Sequence, residues 1–309
     1  MDLASQIKSI VSQSQPIVAN TAVAAQTIAL EIEDPRSRGR GMRESLQLQL
    51  RLLVGAAVSD TEIERMIERI AVAFQVKRKL DATEAAPCSH STNVAAGLAL
   101  LASNYPWPSE EPTDVDRNDD VTFFTPATRT LLEAALGELQ PRVIVEVGAW
   151  LGHSTRFLLN GSTGWVISID TWLGSEEHQA GSEWMNRHPA HGDVLSNLYS
   201  TFLKNCWQHR DRLIPMRTTS ISGFHQIHDA GVQPDLIFLD GAHDKLSVSA
   251  ELELAHRLFP QARLLVDDYN IREAWLRGLV EAVDEFASKH RFEVQVTDRQ
   301  ACMLLQRGA

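Results

Sequence analysis

Cysteine is scarce in this 309-residue chain, and the three present, Cys88, Cys206 and Cys302, are odd in number and widely spaced. That excludes a disulfide framework and a CxxC-type zinc site, and it suits a reducing compartment. No apolar run approaches the roughly 18 residues of a membrane span. The N-terminus has early acids (Asp2, Glu31, Glu33) and no apolar h-region, so no signal peptide is read there. A cytoplasmic protein with no membrane contact is the expectation. Positive charge is also in short supply. A net charge of -11 is hostile to a general nucleic-acid binder, which needs a basic field to follow phosphates. What remains, 44% apolar and 22% charged residues, is the composition of a globular protein.

Three regions are expected: a helical N-terminal region (1–80), a linker (81–120) and a larger domain (121–309). In the first, Ser59 and Glu62 have capping-box spacing, and Ile63, Met66, Ile67, Ile70 and Phe74 follow as one helical stripe. Such a stripe must be buried against something, whether the chain's own larger domain, a second copy or a partner. A homo-oligomer formed through these helices is therefore one expectation. Leu46, Leu48, Leu50 and Leu52 alternate like a strand, but the intervening Gln and Arg favour helix. "DPRSRGRGMR" (34–43) carries four arginines and reads as a solvated loop. "NYPWPSEEPTDVDRNDD" is proline-rich and acidic, as exposed linkers are.

Beyond 120 the pattern changes. "RVIVEVG", "WVISID", "RLIPMR", "DLIFLD" and "RLLVDD" are short apolar runs, each ending near a polar or glycine-containing turn. Val248, Leu252, Ala255 and Phe259 keep helical spacing, as do Ala274, Trp275, Leu279, Ala282, Val283 and Phe286. This alternation predicts an α/β fold, a Rossmann-like doubly wound and mostly parallel sheet. "FEVQVT" and "CMLLQ" would close it as an antiparallel hairpin, making seven strands.

In such sheets ligands lie beyond the carboxyl ends of the strands, where strand order reverses. The first strand ends "VEVGAWLGHST", placing Glu146, Gly148 and Gly152 in an ExGxxxG spacing. A dinucleotide fold would want GxGxxG, and Trp150 occupies the position of its second glycine, so a nicotinamide-dependent dehydrogenase is disfavoured. The second strand ends in Asp170, where a carboxylate can accept from ribose hydroxyls.

"VIVEVGAWLGHST" followed by "VISIDTWLGSEEH" resembles the first two motifs of class I S-adenosylmethionine-dependent methyltransferases. "YSTFLKN", "LIPMRTTS", "PDLIFLDGAHDKLSVSAELEL", "VDDY" and "RGLVEAVDEFA" extend the resemblance towards the macrocin-type O-methyltransferases of sugars and natural products, over roughly 121–309. It departs at "FPQAR", where the family usually has a Gly-Gly turn. The resemblance implies S-adenosyl-L-methionine as cofactor and a small-molecule hydroxyl as acceptor. Glu146, Gly148 and Gly152 would shape the pocket for the methionine part, Asp170 would hold the ribose, and Thr171 and Trp172 would flank the adenosine.

Asp240 ends the fourth strand, and Asp267 and Asp268 end the fifth. Converging carboxylates repel unless a positive charge sits among them. An all-oxygen set suits a hard cation such as Mg²⁺, and metal-dependent members of the resembled family place acids here. His243 lies three residues beyond Asp240, the family's position for a general base, and an imidazole can take the proton of a hydroxyl. Asp240 and His243 are thus the catalytic candidates. His178, His188 and His191 share a polar stretch (174–195) with Trp184 and Met185, which reads as a mobile lid over the acceptor or a plain surface loop rather than a zinc site. A contrasting expectation is a non-catalytic binding or assembly protein built on a methyltransferase-like fold.

Overall fold

The alternation seen in the sequence becomes two hydrophobic layers around one sheet. The structure, a computed structural model, describes residues 2–18, 22–82, 94–117, 124–175, 178, 186, 196–297 and 301–306. Its strands are β1 (Val143–Val147), β2 (Trp165–Asp170), β3 (Leu213–Arg217), β4 (Leu236–Leu239), β5 (Arg263–Val266), β6 (Phe292–Thr297) and β7 (Ala301–Gln306). They form a seven-stranded sheet in the order β3-β2-β1-β4-β5-β7-β6. The first five are parallel, and β7 runs antiparallel between β5 and β6. Strand order reverses between β1 and β4, so the crevice for a ligand opens at their carboxyl ends.

Side chains alternate across each strand. Val143, Val145 and Val147 face the core beneath α10 (Ser220–Asp229), α11 (Lys245–Leu258) and α12 (Arg277–His290). Ile144 faces the other core, with α7 (Pro126–Leu139), α8 (His153–Gly161) and α9 (Leu198–Cys206). Both sheet faces are thus covered, which is why the strands read as nearly continuous apolar runs. Cys206 and Cys302 are buried thiols; Cys88 lies outside the described residues. Among the described residues no helix is long and apolar enough to cross a membrane.

The N-terminal region is a bundle of α1 (Leu3–Ser12), α2 (Ala22–Glu33), α3 (Gly39–Val54), α4 (Asp60–Ala73) and the short α5 (Lys77–Leu80). The Ser59 hydroxyl caps α4 by accepting from the Glu62 amide at 3.3 Å. The stripe it introduces is buried within the bundle: Ile63, Met66, Ile67 and Ile70 pack with Ile7, Ile28, Leu46, Leu50 and Leu53. Helix α3 has two apolar faces, with Leu48 packed instead into the core beneath α10. That double role explains the alternating leucines. The arginine stretch is not all loop, because Gly39 to Arg43 open α3. Arg36 is pinned, its Nε bonding Asp34 at 2.6 Å and its guanidinium lying 3.9 Å over the Tyr105 ring.

Inside the stretch read as a linker, Val94–Asn104 form a helix, α6, that buries Leu98 and Leu101 on the sheet's first core. Its apolar run "VAAGLALL" outweighs the acidic, proline-rich sequence that follows. Trp107 then donates its indole N–H to the Leu213 carbonyl at 2.8 Å.

Met66 has no exposed surface at the centre of the bundle core. Met66→Ala should cost about 2–5 kcal/mol of stability, as large-to-small changes in packed cores do. Urea denaturation reads it, and a loss below about 1 kcal/mol would contradict close packing there.

Candidate active site at the carboxyl ends of the strands

Asp170 organises the cofactor-side loops. Its Oδ2 accepts from the backbone N–H groups of Ala149 and Trp150, both at 2.9 Å, and its Oδ1 accepts from the Trp172 amide at 2.7 Å. One carboxylate therefore ties the turn after β1 to the turn after β2. Burial raises its pKa, and those backbone donors offset part of the rise. Three N–H bonds leave little acceptor capacity, roughly one lone-pair direction of four, for a ribose hydroxyl.

Gly148 lies at φ +86°, and a Cβ there would sit 2.0 Å from the Asp240 carbonyl oxygen. Only glycine lets the ends of β1 and β4 approach so closely. Gly152, at φ +85°, precedes α8, and a Cβ would meet Cys206 Sγ at 2.4 Å. Non-glycine residues in the left-handed region also gather at these strand ends: Trp150 (φ +46°), Trp172 (φ +49°) and Asp268 (φ +56°). Such backbone costs of order 1–3 kcal/mol each and persists only where surroundings enforce it.

Glu146 is fully buried in β1. Its Oε2 accepts from the hydroxyls of Thr155 at 2.5 Å and Ser168 at 2.7 Å, while burial raises its pKa. It ties β1 to β2 and to the first turn of α8. Thr171 follows β2, its hydroxyl accepting from the Leu173 amide at 3.3 Å. Trp172, expected beside an adenosine, packs inward from the turn after β2. Its ring is buried against Tyr199 and Phe202, with centroids 4.7 and 4.8 Å away, and its indole N–H donates to the Trp150 carbonyl at 2.9 Å.

On the other side of Gly148 the acids collect. Asp240 follows β4, and its pKa is pushed well above the ordinary carboxylate range by burial and by the charges of Asp267 and Asp268. Asp267 is raised to about 7 by burial and by Asp268. Both its oxygens accept from the Thr128 hydroxyl, at 3.1 and 2.8 Å. His243 lies in the turn before α11, its Nε2 3.0 Å from Asp268 Oδ2. Asp268, His243, Asp267 and Asp240 are thus one electrostatic group. The donor set has the hard oxygens a divalent cation prefers. As arranged, Thr128 engages Asp267 and His243 engages Asp268, and among the described residues no three His, Cys, Asp or Glu side chains form a metal cage.

Thr128 and Trp275 join the site without a sequence motif that announces them. Thr128 is near the start of α7, where "TPAT" is a legible helix start with Thr125 as cap, though not as a partner for Asp267. The helical spacing of Trp275 predicts a place on a packed helix face. It is instead 59% exposed in a short turn before α12, with its ring edge-on to His243 at 5.1 Å. His178 holds Ser175 (Oγ to Nδ1, 2.9 Å) and lies 4.6 Å from the Trp150 ring. His188, His191, Trp184, Met185 and most of the expected lid lie outside the described residues. A cleft of about 350 Å³ against Val143, Trp165 and Asp235 opens at the opposite end of β1 and β2, away from the acids.

Residues 145–269, which carry the glycine turn, Asp170, Asp240, His243, Asp267 and Asp268 but not Thr128 or Trp275, match a family model described as "Methyltransferase domain". The chain carries a methyltransferase domain. This bears out the resemblance read from the two glycine- and acid-bearing motifs. No curated protein matches the chain. Solved structures that overlay on it include the O-methyltransferase from Bacillus cereus in complex with SAH (20% identity, 76% of this chain and 97% of that one, TM-score 0.39). Another is the O-methyltransferase TomG from Streptomyces achromogenes, involved in tomaymycin synthesis, in complex with SAM (13% identity, 77% and 96%, TM-score 0.43).

Buried acids give this domain a definite pH dependence. Glu251, on α11, accepts from the Ser220 hydroxyl at 2.6 Å and is raised to about 7 by burial. An acid held above its ordinary value binds its proton more tightly folded than unfolded. Between about 4.5 and 7 the folded state therefore holds more protons, and stability falls as pH rises through that window. Thermal melting should show a declining midpoint from pH 5 to 7.5, and Glu251→Gln should flatten the decline. A slope unchanged by the substitution would contradict the assignment.

Proposed function

We propose that the protein is an S-adenosylmethionine-dependent O-methyltransferase that acts on a hydroxyl of a small molecule, of sugar or natural-product type. The observation that carries this reading is the placement of the 145–269 match: its glycine turn, Asp170 and the Asp240–His243–Asp268 group meet at the switch point between β1 and β4. The cofactor, when bound, supplies a methyl group already activated by its sulfonium.

The rest falls to this chain's residues. Gly148 and Gly152 let the turn after β1 close tightly against Asp240 and Cys206, which fixes the shape of the crevice. Asp170 holds two loops in register and keeps one acceptor direction for a ribose hydroxyl. His243 is the general base. With Nε2–H donating to Asp268, the ring takes the tautomer whose basic nitrogen is Nδ1, and the carboxylate stabilises the imidazolium formed on proton uptake. Holding acceptor and methyl donor in line is worth several kcal/mol, up to about 7–11 in the best intramolecular cases. Trp275, exposed and edge-on to His243, places an apolar surface beside the base, which suits an acceptor with a hydrophobic part.

A Mg²⁺ ion belongs to the same proposal, with Asp240, Asp267 and Asp268 as its holders. Their oxygens fit a hard cation, and the repulsion that raises Asp240 and Asp267 is what a cation would relieve. It would lower the pKa of the acceptor hydroxyl. Asp268 then serves two partners, so cation and His243 compete for it.

Calorimetry should show binding of S-adenosylhomocysteine and none of NAD. Incubation with S-adenosylmethionine and candidate hydroxyl compounds should yield a product heavier by about 14 Da, one CH₂. Binding of neither nucleoside would sink the reading, and binding without any transfer would favour a non-catalytic assembly protein.

Chelation and mutation separate the two acid-base roles. Exhaustive EDTA treatment should abolish turnover and spare S-adenosylhomocysteine affinity, with Mg²⁺ restoring activity. His243→Ala should keep that affinity and slow turnover by roughly 10²–10⁴. Full activity in EDTA would remove the cation, and full activity of His243→Ala would remove the base.

A further inference from the structure

Besides the packing of Leu48 and the Glu44 contacts to His225 and Arg257, the N-terminal bundle meets the sheet domain through a buried carboxylate. Glu31, at the end of α2, is 1% exposed, and it accepts hydrogen bonds from four hydroxyls. Ser37 and Ser45 belong to the bundle's own side; Ser45 bonds Oε1 at 3.0 Å, and Ser37 bonds Oε2. Thr219 and Ser222 belong to the methyltransferase domain. The Thr219 hydroxyl meets Oε1 at 2.6 Å, and Ser222 Oγ lies 2.9 Å from both oxygens. Thr219 is the cap of α10, and its hydroxyl also accepts from the Ser222 amide at 3.2 Å. The carboxylate thus sits against the first turn of a ten-residue helix, whose dipole favours negative charge there.

That helix start is one residue from the cofactor end of the sheet. The Thr218 amide donates to the Asp170 carbonyl at 3.1 Å, and Arg217 lies beside Asp170 in the β2–β3 register. Arg217 Nε reaches the Thr171 carbonyl at 3.4 Å. Behind it, α10 touches β2 directly: a Cβ on Gly223 would lie 2.8 Å from Ile169 Cδ1. Whatever moves the first turn of α10 therefore moves the loop that borders Asp170 and Thr171. Glu251 grips the same turn from α11 through Ser220, so the turn is held from two sides by two different parts of the chain.

We infer that Glu31 is a positioning residue for the cofactor site, and that the N-terminal bundle is a working part of that site rather than an appended assembly module. This rests on the reading of the β1–β2 end as a nucleoside pocket. A contact made only for stability would sit anywhere on α10. This one engages its cap residue, next to the turn that closes the Asp170 loop.

The test compares Glu31→Gln, Glu31→Ala and Ser45→Ala in the full chain, using S-adenosylhomocysteine calorimetry and amide hydrogen exchange of the ligand-free protein. Glu31→Gln can still accept from the hydroxyls through its carbonyl and should stay within about threefold of the parent affinity. Glu31→Ala should weaken binding by tenfold or more and speed exchange in the 217–223 segment. Ser45→Ala removes one bundle-side donor, gives a milder shift in the same direction, and covers the case in which Glu31→Ala does not fold. Variants that exchange faster at 217–223 but keep parent affinity would overturn the positioning role. So would variants that only melt earlier, with unchanged exchange and affinity. If the parent itself binds no S-adenosylhomocysteine, the pocket reading fails, and with it the role assigned here, while the exchange data still show whether Glu31 clamps the turn.

Discussion

Backbone amides need partners, and the loops beyond β1 and β2 find theirs on the Asp170 carboxylate. It accepts from Ala149, Trp150 and Trp172, so two turns that the sheet itself cannot bond are fixed relative to each other. The left-handed residues of these turns are affordable only under that restraint. Gly148 then lets the Asp240 backbone close in, and the closure brings the acids after β4 and β5 to the same end as the glycine turn. Remove the carboxylate and three buried N–H groups lose their acceptor, at a cost of about 1–3 kcal/mol for each left unsatisfied. Asp170 is therefore at once a structural brace and the residue nearest a cofactor ribose in the proposal.

Much of this was legible in the residues. Strands buried on both faces have to read as apolar runs, and glycines at φ near +85° have to be glycines, so the sheet and its first turn are visible without coordinates. Asp240 and His243 stand out because polar residues at the end of a buried strand need a reason. Contacts between distant segments were hidden. Thr128 and Asp267 are 139 residues apart, and nothing in "TPAT" names its partner. The resemblance implies Trp172 beside an adenosine, and nothing in the sequence shows that its ring packs with Tyr199 and Phe202 in the core. Trp275 fitted a helical stripe, yet the helix begins at Arg277 and leaves it exposed. The acidic residues after Asn104 hid α6, whose burial depends on a surface formed far along the chain.

Three acids raised to about 7, Glu31, Glu251 and Asp267, lie around one end of the sheet. Burial is the first cause for each, and each is bonded by hydroxyls rather than by a cation. Hydroxyls stabilise a buried carboxylate less than a guanidinium does but leave the site open to charge brought by ligands. A sulfonium cofactor and a divalent cation are both positive. Glu31 and Glu251 are sealed against α10 by hydroxyls, whereas Asp267 stands with Asp240 and Asp268 at the strand ends, where a positive ligand relieves their repulsion and a pyrophosphate adds to it.

The most direct test is a crystal structure of the protein grown with S-adenosylhomocysteine. The account predicts the nucleoside at the carboxyl ends of β1 and β2, its ribose within hydrogen-bonding distance of Asp170 and its sulfur directed towards the Asp240–His243 side of Gly148. A ligand bound at the Val143–Trp165 cleft instead, or a ribose held by other groups with Asp170 still occupied only by backbone amides, would contradict it.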